Sequence, residues 1–138
     1  MKPLKLGVIG IDHRHIFGQL GKMQALGCTC KGWWTQGAPE PLANRQELLD
    51  DPEIDMILIA DVPVRRADRA IDAMRAGKDV MTDKPGCTTL DQLAAIKACV
   101  AETKRIWSID FSERFEVPAV TRAGDLIAEG RIGRVVHS

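Results

Sequence analysis

Short apolar runs alternate with stretches of helical periodicity along this chain, and that alternation limits the fold more than any other feature. Leu4 to Ile9 is an apolar run closed by Gly10, after which Ile16, Leu20, Met23 and Leu26 recur at helical spacing as far as Gly27. Cys28 to Trp34 reads as a second strand, and Thr35 to Leu42 as a loop rich in Gly, Pro and polar residues. A short helix follows near Asn44 to Leu49, with Asn44 as its N-cap. Met56 to Ala60 is apolar without interruption, the pattern of a strand covered by helices on both faces. A helix through Ala67, Ile71 and Met74 stops at Gly77, and Asp79 to Thr82 is the next strand. Thr89 caps a helix through Leu93, Ile96 and Val100; Ile106 to Phe111 and Pro118 to Glu129 supply one more strand and helix. Repeated βαβ units of this kind specify an α/β fold with a doubly wound parallel sheet.

Length and charge narrow the function classes. A chain of 138 residues with 45% hydrophobic content buries one core. Lys plus Arg and Asp plus Glu both number 19, with no block of like charge, so neither nucleic acid nor a membrane surface is an expected partner. The opening apolar stretch is broken by Gly7, Gly10 and Asp12 and reads as a strand rather than a signal peptide. No run approaches the roughly 20 apolar residues of a membrane span. Cys28, Cys30, Cys87 and Cys99 lack metal-ligand spacing and read as reduced thiols of a cytoplasmic protein. Arg134 to Ser138 reads as the start of another strand, so 1–130 is expected to be one domain and 131–138 the beginning of a second α/β domain. As an unpaired edge, Arg134 to His137 could pair with a neighbouring copy in a homo-oligomer.

The run Asp79-Val80-Met81-Thr82 ends abruptly in Asp83-Lys84-Pro85. Ligands of open parallel sheets bind beyond the carboxyl ends of the strands, which delivers Lys84 to the edge of the crevice. The turn after the first strand tests a dinucleotide fingerprint, G-x-G-x-x-G, whose glycines serve a tight turn, close approach to a pyrophosphate and helix packing. Gly10 supplies the first; Asp12 and His15 stand at the other two, with His13 and Arg14 between them. Arg14 and the helix N-terminus near His15 offset the Asp12 carboxylate beside a pyrophosphate. The acid expected at the end of the second strand for the ribose hydroxyls is replaced by Trp34-Thr35-Gln36. Trp33 and Trp34 point to opposite faces, so one of them could stack on an adenine. His13 and His15 could hold a metal with Asp12, but His-x-His without further ligands is a poor site, and no metal is expected.

The strand-glycine start containing Gly7 and Gly10, Asp83-Lys84-Pro85 in place of a Glu-Lys-Pro motif, the Cys87-Thr88-Thr89-Leu90 helix entry, Glu113-Arg114-Phe115 and the exit Gly130 to Val135 together resemble the Gfo/Idh/MocA family of oxidoreductases. The resemblance spans the chain. It implies the NAD(P)-binding Rossmann domain of an enzyme whose second domain binds sugar, polyol or related substrates. It implies NAD or NADP as cofactor, Lys84 as the catalytic lysine beside nicotinamide and substrate, and a cofactor contact at Arg114. The family's Thr-Pro-Asn after the third strand is replaced by Asp61-Val62-Pro63, and its later histidine by Arg66; Asp61 and Val62 then fall on the cofactor. The family's other catalytic groups lie in its second domain, so this chain alone is expected to be inactive.

Two further readings compete with the oxidoreductase. A two-component receiver would place Asp12, Asp61 and Lys84 at strand ends, but only one helix and one strand separate Asp61 from Lys84, a unit too few. A degenerate Rossmann domain kept for assembly would share the fold and bind no nucleotide.

Overall fold

The computed structural model describes residues 3–38 and 44–136. Its elements alternate as the hydrophobic pattern requires: β1 (Lys5–Ile9), α1 (His15–Ala25), β2 (Thr29–Trp34), α2 (Arg45–Asp50), β3 (Met56–Ile59), α3 (Pro63–Arg75), β4 (Asp79–Asp83), α4 (Leu90–Thr103), β5 (Trp107–Asp110), α5 (Glu113–Glu116) and α6 (Pro118–Ala128). The strands form a parallel sheet in the order β2-β1-β3-β4-β5. The chain runs outward from β1 to β2, then returns across β1 to β3. That reversal between β1 and β3 is the switch point beyond whose carboxyl strand ends the ligands of doubly wound sheets usually bind.

Burial explains the sheet. Ile57, Leu58 and Ile59 of β3 are fully buried, because helices cover both faces of this central strand. On one face Leu48 and Leu49 of α2, Ala67, Ala70, Ala73 and Met74 of α3, and Ile96 and Cys99 of α4 pack with Ile9, Ile57, Ile59 and Val80. The alanines let α3 sit close against the strands. On the other face α1 brings Ile16, Leu20 and Met23 against Leu6, Val8, Leu58 and Ala60. Trp34 joins the first cluster and Trp33 the second, as the strand's alternation demands.

The expected caps are present. Asn44 accepts from the Glu47 amide at 2.9 Å while Glu47 reaches back to the Asn44 amide, a reciprocal capping box. Thr89 accepts from the Gln92 amide at 3.1 Å. Two differences stand out. The short α5 between β5 and α6 has no counterpart in the hydrophobic pattern, since four residues are too few to show a period. The strand expected at Arg134 to Ser138 is not formed at 134–136, which are exposed and irregular; 137–138 lie outside the described residues, as do 39–43 of the Thr35 to Leu42 loop.

Candidate functional site

Because all strands are parallel, Ile9, Trp34, Ile59, Asp83 and Asp110 deliver their followers to one edge of the sheet. Gly10 sits there with φ +79°, and a Cβ on it would lie 2.3 Å from the Asp61 amide nitrogen. Only glycine permits that conformation so close to β3. The Gly10 amide donates to the Trp34 carbonyl at 2.7 Å, so the turn after β1 is tied to the end of β2. Thr35 Oγ1 accepts from the Ile11 amide and donates to Asp12 Oδ2 at 3.2 Å, which turns the Asp12 carboxylate toward β2. Gly7 lies inside β1 rather than at this edge; a Cβ there would meet Ile57 Cδ1 at 2.8 Å, so its place concerns packing.

Two buried carboxylates organise the edge. Asp61, at the end of β3, is fully buried and accepts from the Val62 amide at 2.7 Å, from Arg65 Nε at 2.9 Å and Nη2 at 2.7 Å, and from Arg69 Nε at 3.2 Å. Burial pushes its carboxyl up, but Arg65, the Val62 amide and Arg69 outweigh that and hold it below the usual carboxylate range. The Arg69 guanidinium in turn lies 5.2 Å from the centre of the Trp34 ring, a cation–π contact.

Asp83, at the end of β4, is also buried. It faces His13 Nδ1 at 3.1 Å and His15 Nδ1 at 3.2 Å, and its Oδ1 accepts from the Lys84 amide at 2.9 Å. Arg66, 2% exposed, reaches it at 3.3 Å while donating to the carbonyls of Asp61 at 2.7 Å, Asp83 at 2.9 Å and Pro85 at 3.1 Å. One guanidinium thus clamps the ends of β3 and β4. The turn after Gly10 and the lysine after β4 therefore share one end of the sheet. Lys84 itself is partly exposed, precedes a cis proline, and has Glu113 at 3.5 Å. His13, His15 and Asp83 present ligand atoms within 4.8 Å of one another, so a cation could be held there, with Asp83 rather than Asp12 as the carboxylate. Arg114 lies on α5, and its side chain is outside the described set.

Beside this edge a polar cleft of about 290 Å³ opens between α1 and the end of β5, lined by Arg14, His15, Gln19, Lys22, Asp110 and Glu116 among others. Gln19 Nε2 is buried there without a hydrogen-bond partner among the described residues. Burial pushes the Asp110 carboxyl up, and the carboxylates of Glu116 and Asp83 push it further. The cysteines are all free, and burial raises the Cys30 thiol. Among the described residues no helix is long and apolar enough to cross a membrane.

The spatial order shows what the linear reading missed. Arg65, Arg66 and Arg69 were not singled out as site residues, yet each reaches a strand end. The signal was the interval from Asp61 to Arg65 and Arg69, four and eight residues on, which is one helical face. Asp61 is also closed off by guanidinium groups and Lys84 leans toward Glu113, neither of which suits a phosphorylated aspartate with its lysine.

Comparison with known proteins places the molecule. Residues 34–111 match the family model described as an oxidoreductase family with an NAD-binding Rossmann fold. The scyllo-inositol 2-dehydrogenase (NAD(+)) of Bacillus subtilis (strain 168) is 33% identical over 66% of this chain and 26% of its own length. A crystal structure from Erwinia carotovora atroseptica SCRI1043, provisionally classed as an oxidoreductase, superposes with a TM-score of 0.89 at 34% identity, over 96% of this chain and 44% of the other. Biliverdin reductase of Synechocystis sp. PCC 6803, solved with biliverdin and NADP+, shares the fold at 21% identity, with a TM-score of 0.75 over 97% of this chain and 45% of its own. The chain spans about a quarter of the length of the curated relatives it matches. It belongs to the Gfo/Idh/MocA oxidoreductases and carries their NAD-binding Rossmann fold.

Proposed function

We propose that this chain is the cofactor-binding part of an NAD(P)-dependent oxidoreductase acting on a sugar or polyol type of substrate, with the dinucleotide lying along the carboxyl edge from Trp34 to Lys84. The observation that carries the reading is the convergence of the Gly10 turn, through His13 and His15, on Asp83 next to Lys84. The substrate class is taken from the inositol dehydrogenase likeness. Residues 1–130 would form the cofactor domain and 131–138 the way into a second, substrate-binding domain. The free thiols suit a cytoplasmic setting.

The residues present fit the cofactor. The His15, Ile16 and Phe17 amides at the start of α1 donate to His13 and to the Arg14 carbonyl, so the group there that would meet an anion is the Arg14 side chain at the N-cap position. The unpartnered Gln19 amide and His15 line the adjoining cleft. Asp12 does not oppose this, since its carboxylate is turned to Thr35. Gly10, Asp61 and Val62 would border the crevice, and Thr35 and Trp34 its adenosine end. When bound, the nicotinamide gives or takes the hydride. Lys84 contributes an ammonium that polarises the reacting oxygen, Asp83 fixes the backbone leading to it, and Pro85 follows it at the turn.

Thermal melting with and without nucleotide tests this. NADH or NADPH at about a hundred times Kd stabilises by about 2.7 kcal/mol, a rise of several degrees in Tm. A rise with a phosphate mimic and Mg²⁺ instead favours the receiver reading; no rise with any of them leaves the assembly-only domain.

A further inference from the structure

We propose that Arg69, seated on Trp34 and anchored by Asp61, receives the 2′-phosphate of an adenosine ribose, so that the site takes NADP(H) in preference to NAD(H). The inference rests on the dinucleotide reading above and deepens it. In a Rossmann fold the end of the second strand reads the ribose: an acid there accepts the free hydroxyls of NAD, whereas a nearby arginine accommodates the 2′-phosphate of NADP. This chain has Trp34, Thr35 and Gln36 at that place. The linear order offers no neighbouring arginine, but the fold supplies one from α3.

Three features suit Arg69 to a phosphate. Its bond to Asp61 uses Nε alone, and among the described residues its terminal Nη1 and Nη2 have no hydrogen-bond partner, leaving a planar fork for two phosphate oxygens. Its guanidinium is held at 5.2 Å over the Trp34 ring, so ordering it on binding costs little further side-chain freedom. Asp61, held below the usual carboxylate range, stays ionised and keeps the anchor in place at neutral pH. Arg65 adds a second cation but gives both Nε and Nη2 to Asp61 and also feels Asp12, so it acts chiefly through the local potential. Asp61 and Asp12 balance the cations in number, yet the first lies buried beneath the arginines and the second is bonded to Thr35 on the side of the glycine turn.

The test is a titration of the protein with NADPH, NADH, 2′,5′-ADP and 5′-ADP, repeated on Arg69→Gln and Arg69→Lys. NADPH is expected to bind at least about tenfold more tightly than NADH, the worth of one charge-assisted hydrogen bond. Arg69→Gln should bring the two within about threefold by weakening NADPH alone, and Arg69→Lys should fall between, keeping the charge without the fork. On the unaltered protein 2′,5′-ADP should outbind 5′-ADP, a readout that stands even where a variant fails to fold. Equal binding of NADH and NADPH, or equal weakening of both by Arg69→Gln, overturns the proposal while leaving the dinucleotide reading intact. If no nucleotide binds, both fall.

Discussion

Two neighbouring strand ends use the same device for different ends. At β3 a buried carboxylate, Asp61, gathers Arg65 and Arg69, two guanidinium groups from the helix that follows it; at β4 a buried carboxylate, Asp83, gathers His13 and His15, two imidazoles from the turn after β1. The first sets two cations over the end of β3, the arrangement on which the proposed phosphate contact rests. The second ties the turn after Gly10 to the end of β4, next to Lys84. Arg66 separates them. It is the only one of the three arginines that is fully buried, and it joins the two ends rather than serving either.

That contrast breaks first at Arg66. Arg66→Met should cost about 3–5 kcal/mol in denaturant unfolding, because it leaves Asp83 short of its buried partner and takes the guanidinium donor from the Asp61 and Pro85 carbonyls, while the Asp83 carbonyl keeps only Thr82 Oγ1. A loss below about 1 kcal/mol would mean that the two ends are held independently.

Asp61→Asn should cost about 1.5–3 kcal/mol through its charged hydrogen bonds. The pH dependence gives the sign. A carboxyl whose folded pKa is depressed contributes stability that is present above its ordinary value of 3.8 and is lost as pH falls through the folded value. The variant should therefore lack part of the wild-type loss of Tm below that pH; parallel curves would contradict the anchoring role.

On the other side Asp110 works in reverse, since burial and the carboxylates of Glu116 and Asp83 raise its pKa. Its folded form prefers the proton, so its charged form disfavours folding at neutral pH, and this effect fades as pH falls through the raised value toward 3.8. Asp110→Asn should raise Tm at pH 7.5, with the gap closing toward pH 4; a gap constant with pH would assign the gain to something other than charge.

Lys84→Met should change stability least, within about 0.5 kcal/mol, because its side chain is 39% exposed and its ion pair with Glu113 is long, at 3.5 Å. A large loss would move Lys84 from the chemistry to the scaffold.

The parts legible in the sequence were local. Asn44 and Thr89 cap helices because a side-chain oxygen two or three residues from an open amide needs no distant partner. Lys84 was legible because an apolar run ending in charge marks a strand's exit. The partners of Asp83 were not: His13 and His15 looked like companions of Asp12, a close neighbour in the chain, whereas His15 meets a carboxylate 68 positions away. Arg66 gave only the sign that it stands where the family has a histidine.

By itself the sequence determined the α/β alternation, the helix ends, the left-handed turn at Gly10 and the exit of Lys84 from β4, since each depends on periodicity or on conformational preferences within a few residues. Tertiary structure decided which charges meet. The crossover from β2 back over β1 to β3 brings Trp34 beneath Arg69 and sets Arg66 between Asp61 and Asp83. Such pairings follow from the order of strands in space, and one charged side chain carries no mark of which distant partner the sheet will bring to it.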